Sequence, residues 1–313
     1  MKNSDQLPGA PIEPRLQGKT ELEQASGLPQ ALGAYLIWGL LPLYLLLVST
    51  VHPMEFVAWR IVWTVPICLV IIAAREQWPE LKVALSSRKT LGWLFVSASL
   101  IGFNWIVYVW AIQTDRVYAA SLGYYINPLL NVLLGTVFLK ETLTRNQWIA
   151  VGLAAFGVAL LAAGAITTLW VSLSLAFSFA LYGLVRKQVA VGAVPGLTIE
   201  AMLLIVPSII IAAYFAATQG SAFFVSPQLS IAIVAGGVLT AVPLLLFAVA
   251  ARRMDYSKLG FIQFLAPSIV FILGLTVFKE PLQPVQLACF ACIWSAAALF
   301  AWDLLKRSRK SAN

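Results

Sequence analysis

Charge is what this chain has least of. Of its 313 residues 13 are acidic and 21 basic, 11% in all, against roughly 25% in an average soluble domain. So few charges cannot cover a soluble globule of this size, which argues against a cytosolic enzyme, a nucleic-acid binder and a disordered chain. Histidine occurs once, at His52, so no metal cluster or His-based catalytic constellation is expected. Three cysteines, Cys68, Cys289 and Cys292, are not a disulfide framework. Cys289 and Cys292 share a helix face but lack further ligands, and read as small buried core residues. A Walker loop is also missing, so the chain is not expected to hydrolyse ATP. No cofactor is expected. Residues 1–30 carry four prolines, mixed charge and no apolar core. They are not a signal peptide and read as a disordered cytoplasmic tail.

What is present is apolar mass: 60% hydrophobic residues and a mean hydropathy of +0.86. A membrane-crossing helix needs about 20 apolar residues, whereas barrel strands are short and alternate. The expected fold is therefore all-α and polytopic. Charge-poor runs mark ten spans, at 31–54, 57–74, 90–114, 117–139, 146–185 (two spans, broken near Gly164), 197–217, 229–251, 259–278 and 284–304. With a cytoplasmic N-terminus, 18 of the 21 bases fall inside and two outside, while Arg60 lies within span two. That asymmetry predicts both termini on the cytoplasmic side. The net charge of +8 is thus loop bias and does not point to nucleic acid.

The halves repeat. Shifting by 139 residues aligns Pro128 with Pro267, Gly135 with Gly274, Lys140-Glu141 with Lys279-Glu280, Leu143 with Leu282 and Gln147 with Gln286. Trp38-Gly39-Leu40 parallels Tyr182-Gly183-Leu184, and Glu55 parallels Glu200. Two five-span repeats, 31–164 and 165–305, followed by a basic tail at 306–313, must lie inverted in the membrane because five is odd. Inverted repeats are the architecture of many secondary transporters.

The pattern Pro … Gly … Lys-Glu closing spans four and nine resembles the EamA family of the drug/metabolite transporter superfamily. Several stretches resemble its RarD branch. These are Trp38-Gly39-Leu40-Leu41-Pro42-Leu43-Tyr44, Glu55-Phe56-Val57-Ala58-Trp59-Arg60, Ala120-Ser121-Leu122-Gly123-Tyr124-Tyr125-Ile126-Asn127-Pro128 and Gln263-Phe264-Leu265-Ala266-Pro267. The resemblance covers roughly residues 28–305. It implies a ten-span carrier in the plasma (inner) membrane and permeases associated with chloramphenicol.

Polar groups within a bilayer are costly and tend to face cavities. Arg60, the base inside a span, could bind an anionic group such as a carboxylate, or snorkel to the headgroups. Glu55 and Glu200, at related places in the repeats, could couple transport to a proton or take a cationic group. Glu55 could equally be solvated, and Glu200 could cap a helix. Asn127, Asn131 and Tyr124 share one face of span four. They suit either a substrate lining or hydrogen bonds between helices. Asn104 and Tyr108 on span three and Gln263 on span nine extend this candidate cavity. Trp38, Trp63 and Tyr182 could stack on a planar solute or pack in the core. Pro128 and Pro267 are expected helix kinks, and the Lys-Glu pairs are expected to cap spans and pair locally. A secondary carrier of small metabolites or drug-like solutes, amino acids among them, accounts for these features. A non-transporting scaffold and an integral membrane lipid enzyme are the alternatives. The expected partners are a small-molecule substrate and the lipid bilayer, with proton coupling open.

Overall fold

In the computed structural model of the chain, residues 27–311 are described apart from 115, 165 and 280, with side chains through Lys306. Most of the expected N-terminal tail, Glu280 of the second Lys-Glu pair and the tail side chains beyond Lys306 lie outside the described residues. The described residues contain no strand. Ten helical segments are long and apolar enough to cross a membrane: Leu28–Val48, Pro53–Ala74, Arg88–Gln113, Val117–Val137, Arg145–Ala163, Ile166–Gln188, Ala193–Thr218, Pro227–Arg253, Tyr256–Thr276 and Pro284–Lys306. We call them spans one to ten.

Local chemistry sets their ends. Span two starts at Pro53, whose fixed φ suits a first helical position, and His52 Nδ1 accepts the Met54 N–H at 3.3 Å. Span two thus begins four residues before the expected 57, and Glu55 sits in its first turn. Span five opens on a reciprocal capping box between Thr144 and Gln147, and span eight on Ser226 and Pro227. Span seven starts at Ala193, so Glu200 lies two turns inside it. The loop after span two contains a helix that hydropathy did not mark, Trp78–Ser86. Its Leu81 and Ala84 pack on Val191, Val194 and Ile199. Span nine breaks at Phe264, between helices Tyr256–Gln263 and Leu265–Thr276. Pro267 has no N–H for the Gln263 carbonyl. Pro128 sits inside one continuous helix.

Span two packs on seven, four on nine and five on ten; four and three pack on six, nine and eight on one, eight on two and three on seven. Replacing every span by the one five places along maps these pairings onto themselves. The motifs that end spans four and nine also match in backbone. Lys140 and Lys279 both adopt left-handed φ, 56° and 57°. Leu139 N–H donates to Leu134 O and Phe278 N–H to Leu273 O. Gln147 and Gln286 each accept the backbone N–H three residues earlier, of Thr144 and Gln283.

The base-rich segments after spans two, four, six and eight meet at one end of the molecule. Glu80 Oε1 accepts the Gly192 N–H at 2.7 Å. Lys187 Nζ donates to Ala251 O and Met254 O at 2.8 and 2.6 Å. Asp303, near the end of span ten, accepts from Thr144 Oγ1 and Asn146 Nδ2 at 2.8 and 2.9 Å. Glu141 does not pair with the neighbouring Lys140. It caps span nine instead, accepting from Tyr256 N at 2.6 Å, Ser257 N at 2.8 Å and Ser257 Oγ at 2.5 Å. Gly135 permits this approach, because a Cβ there would lie 2.5 Å from the Glu141 carboxylate. Glu141→Ala therefore lowers stability by about 1.5–3 kcal/mol, the range for a charged hydrogen bond, whereas Lys140→Gly, which relieves a left-handed φ, does not. Thermal melting of the purified variants in detergent checks both.

Candidate functional site

Span two carries Phe56, Arg60, Trp63 and Thr64 along the side that meets span eight. Gly236 and Gly237 let the two helices touch: a Cβ on Gly237 would lie 2.6 Å from that of Trp63. Close contact brings Thr240 to Arg60, whose Nε donates to Thr240 Oγ1 at 2.8 Å. The Thr240 hydroxyl itself donates to Gly236 O at 2.7 Å. The half-buried guanidinium lies 5.6 Å from the Phe56 ring and 5.4 Å from that of Trp105. The hydroxyls of Tyr44, Tyr108 and Tyr124 are within electrostatic range of it. Tyr108 and Tyr124 meet edge to face, 6.1 Å apart, and Tyr124 is half exposed. Among the described residues no carboxylate pairs with Arg60. Two narrow clefts meet at Thr240. One is lined by Tyr44, Phe56 and Arg60, the other by Thr64, Trp105 and Glu200.

The structure places the other candidates in three different settings. Asn127, Asn131 and Gln263 form a buried knot between spans four and nine. Asn131 Nδ2 donates to Gln263 Oε1 and Gln263 Nε2 to Asn127 Oδ1, each at 2.6 Å. Asn127 Nδ2 donates to Ala176 O on span six at 2.7 Å. Asn104 likewise holds span six, donating to Leu175 O and Ser178 Oγ at 2.9 Å each. Trp38 and Tyr182 pack with Tyr35, Phe179 and Phe247 in one aromatic cluster of the core. Trp63 stacks on Phe223 of the loop between spans seven and eight, 5.8 Å between centroids.

The two glutamates part company. Glu55 is buried and bound to that same loop, its Oε1 accepting from Ala222 N at 2.9 Å, Trp59 Nε1 at 3.2 Å and Ser221 Oγ at 3.3 Å. Glu200 is buried in a polar cluster. Ser97 Oγ donates to its Oε1 at 2.5 Å, Tyr182 OH lies 3.5 Å from Oε2, and Arg186 Nη1 stands 3.5 Å from Oε1. Arg186 was expected among the loop bases. It sits instead in the last turn of span six, 1% exposed. A base at a span end looks like a loop base until its neighbours are known, and the single hint was Glu200, 14 positions away on the next span.

Comparison with known proteins agrees with this architecture. Protein RarD of Escherichia coli strain K12 is 39% identical over 295 residues, covering 92% of this chain and 97% of that protein. Residues 25–163 match the model of the EamA-like transporter family. The chain belongs to that family, in its RarD branch. Another such relative is an uncharacterized transporter of Pseudomonas aeruginosa, 40% identical over 91% of this chain and 96% of that one. A further relative from the same species is the chloramphenicol-sensitive protein RarD, 30% identical over 92% and 97%. A solved crystal structure of a protein superposes with a TM-score of 0.70 at 19% identity, covering 88% of this chain and 97% of that one. That likeness shows the fold alone. EamA membership and ten apolar spans make this a multi-pass membrane transporter, related to named transporters and to no named enzyme among these.

The knot between spans four and nine yields a prediction. A double-mutant cycle of Asn127→Ala and Gln263→Ala shows a coupling of about 0.5–2 kcal/mol, the range for hydrogen bonds between membrane helices. Melting of the four proteins in detergent measures it.

Proposed function

We propose that the chain is a secondary carrier built of two inverted five-span repeats that works by alternating access, with its substrate chamber at Arg60. The observation that carries this reading is the half-buried Arg60 guanidinium, without a carboxylate partner among the described residues, surrounded by Trp105, Phe56, Tyr108 and Tyr124 in one of the two clefts that meet at its partner Thr240. A cation in hydrocarbon costs roughly 2.5–3.5 kcal/mol on insertion scales, and flanking rings return about 0.5–2 kcal/mol of that. The remainder is relieved by an anion or an electron-rich group delivered by the solute. The aromatic walls favour a planar body. Small metabolites with a carboxylate, amino acids among them, and chloramphenicol-like compounds fit this chemistry. The self-mapping span pairings and the matched Lys140 and Lys279 motifs support the inverted repeat. The gathering of bases at one end supports termini facing the cytoplasm of an inner-membrane protein.

Counterflow in proteoliposomes, with labelled amino acids, nucleobases, organic acids and chloramphenicol, tests the proposal. At least one solute is exchanged by the wild type, Arg60→Ala weakens its exchange about tenfold to hundredfold, and Arg60→Lys restores part of it, in keeping with charged hydrogen bonds of about 1.5–3 kcal/mol. Equal exchange by Arg60→Ala and wild type overturns the assignment.

Proton coupling, if the flux responds to pH, belongs to Glu200. Glu55 is committed to its loop, whereas Glu200 lines the cleft. Glu200→Gln abolishes the pH response of flux and Glu55→Gln retains it. The reverse pattern reassigns the coupling.

A further inference from the structure

Among the described residues Arg186 is the largest side chain buried completely, and it is poorly held. A guanidinium carries five N–H groups. This one makes a single hydrogen bond, Nη2 to Ala193 O at 3.1 Å. Its Nε and Nη1 have no hydrogen-bond acceptor. A buried cation so sparsely bonded is costly, and what holds it is the charge of Glu200 at 3.5 Å.

Glu200 does not need Arg186 to the same degree. Its other neighbours, the hydroxyls of Ser97 and Tyr182, can donate to a carboxylate or accept from a protonated carboxyl. Neutralising Glu200 therefore leaves its hydroxyl contacts usable and strips Arg186 of its counter-charge. The remaining groups facing this pair do not replace that charge. Cys68 of span two lies against Thr198, within electrostatic range of Glu200. Tyr256 stands near Tyr182, Arg252 of span eight repels Arg186, and the Glu80 carboxylate is taken up by the Gly192 N–H and by Arg252.

Position supplies the consequence. Glu200 forms part of the cleft wall with Thr64, Trp105 and Thr240. Arg186 belongs to the last turn of span six, next to Lys187, at the base-rich end of the molecule. It fills the space over Gly196, where a Cβ would collide with the guanidinium. We propose that Arg186 is a removable plug, seated by the Glu200 carboxylate, that seals the cleft from the base-rich end and swings out toward water when a proton neutralises Glu200. This deepens, and rests on, the assignment of coupling to Glu200.

Cys68, fully buried beside Thr198, reports the opening. The test uses the full chain in proteoliposomes with Cys289→Ala and Cys292→Ala, so that Cys68 is the sole thiol. A membrane-impermeant maleimide is applied to one face at a time at fixed pH, and labelling is read by mass spectrometry. With Glu200 and Arg186 intact, Cys68 labels slowly from both faces. Glu200→Gln, which mimics the neutral state, speeds labelling about tenfold or more from the base-rich face alone, the factor expected for a shift of about 1.4 kcal/mol toward the open form. No acceleration, or equal acceleration from both faces, overturns the plug. If Glu200→Gln does not fold, Arg186→Gln decides the matter: labelling from the base-rich face supports the proposal, and a protected Cys68 overturns it. No solute is needed, so the outcome is separate from the counterflow results. Retained pH dependence of flux in Glu200→Gln would remove the coupling role, while the labelling still decides whether Arg186 is a plug.

Discussion

Hydrocarbon can solvate neither a carboxylate nor an unpaired peptide N–H, and the arrangement of this protein follows from that constraint. A helix start presents unpaired N–H groups and partial positive charge, which favour a nearby carboxylate. Three carboxylates from the first half of the chain, Glu55 buried, Glu141 half-buried and Glu80 exposed, meet such starts in the second half. Glu55 holds the short helix Ala222–Phe224, Glu80 the start of span seven and Glu141 the start of span nine. Asp303 reaches the other way, to the cap residue of span five. The two halves are fastened by these contacts at their ends, where each removes two unsatisfied groups at once.

With those acids committed, two arginines remain in settings that do not satisfy them. Arg60 has aromatic faces and one threonine oxygen but no anion. Arg186 has an anion but few hydrogen bonds. The first lines a cleft. The second is fully enclosed. Both are set up by span eight and its neighbours: Gly236 and Gly237 bring Thr240 to Arg60, and Thr240 also lines the cleft that ends on Glu200. One threonine thus borders both clefts.

Much of this architecture was legible in the residues. Spans are long, apolar and bounded by charge, so hydropathy locates them to within a few residues, and the Lys140 and Lys279 motifs mark corresponding turns. The resemblance carried by the Tyr124–Pro128 and Gln263–Pro267 stretches also led to the family. Pairing between elements was much harder to read. Asn127 and Asn131 stood out as a polar stripe, but that their partner is Gln263, 132 positions beyond Asn131, depends on which helices touch. Arg186 was hidden by its place at a span end, where loop and core bases look alike. The helix Trp78–Ser86 was missed because it is only nine residues long and carries Glu80 and Lys82, with only Leu81 and Ala84 turned to the core.

The sequence separation of the carboxylate contacts has a consequence for biogenesis. The chain is made from its N-terminus, and Glu80 and Glu141 emerge 112 and 115 residues before the groups they bind, while Thr144 precedes Asp303 by 159. The first five spans thus leave the ribosome with these acids and this cap lacking their partners. They must wait at the aqueous rim of the bilayer, where water can serve them, until the second five arrive. Closure of the two halves is therefore a late event of synthesis, and a nascent chain halted after span five is an unfinished fold whose carboxylates still face water.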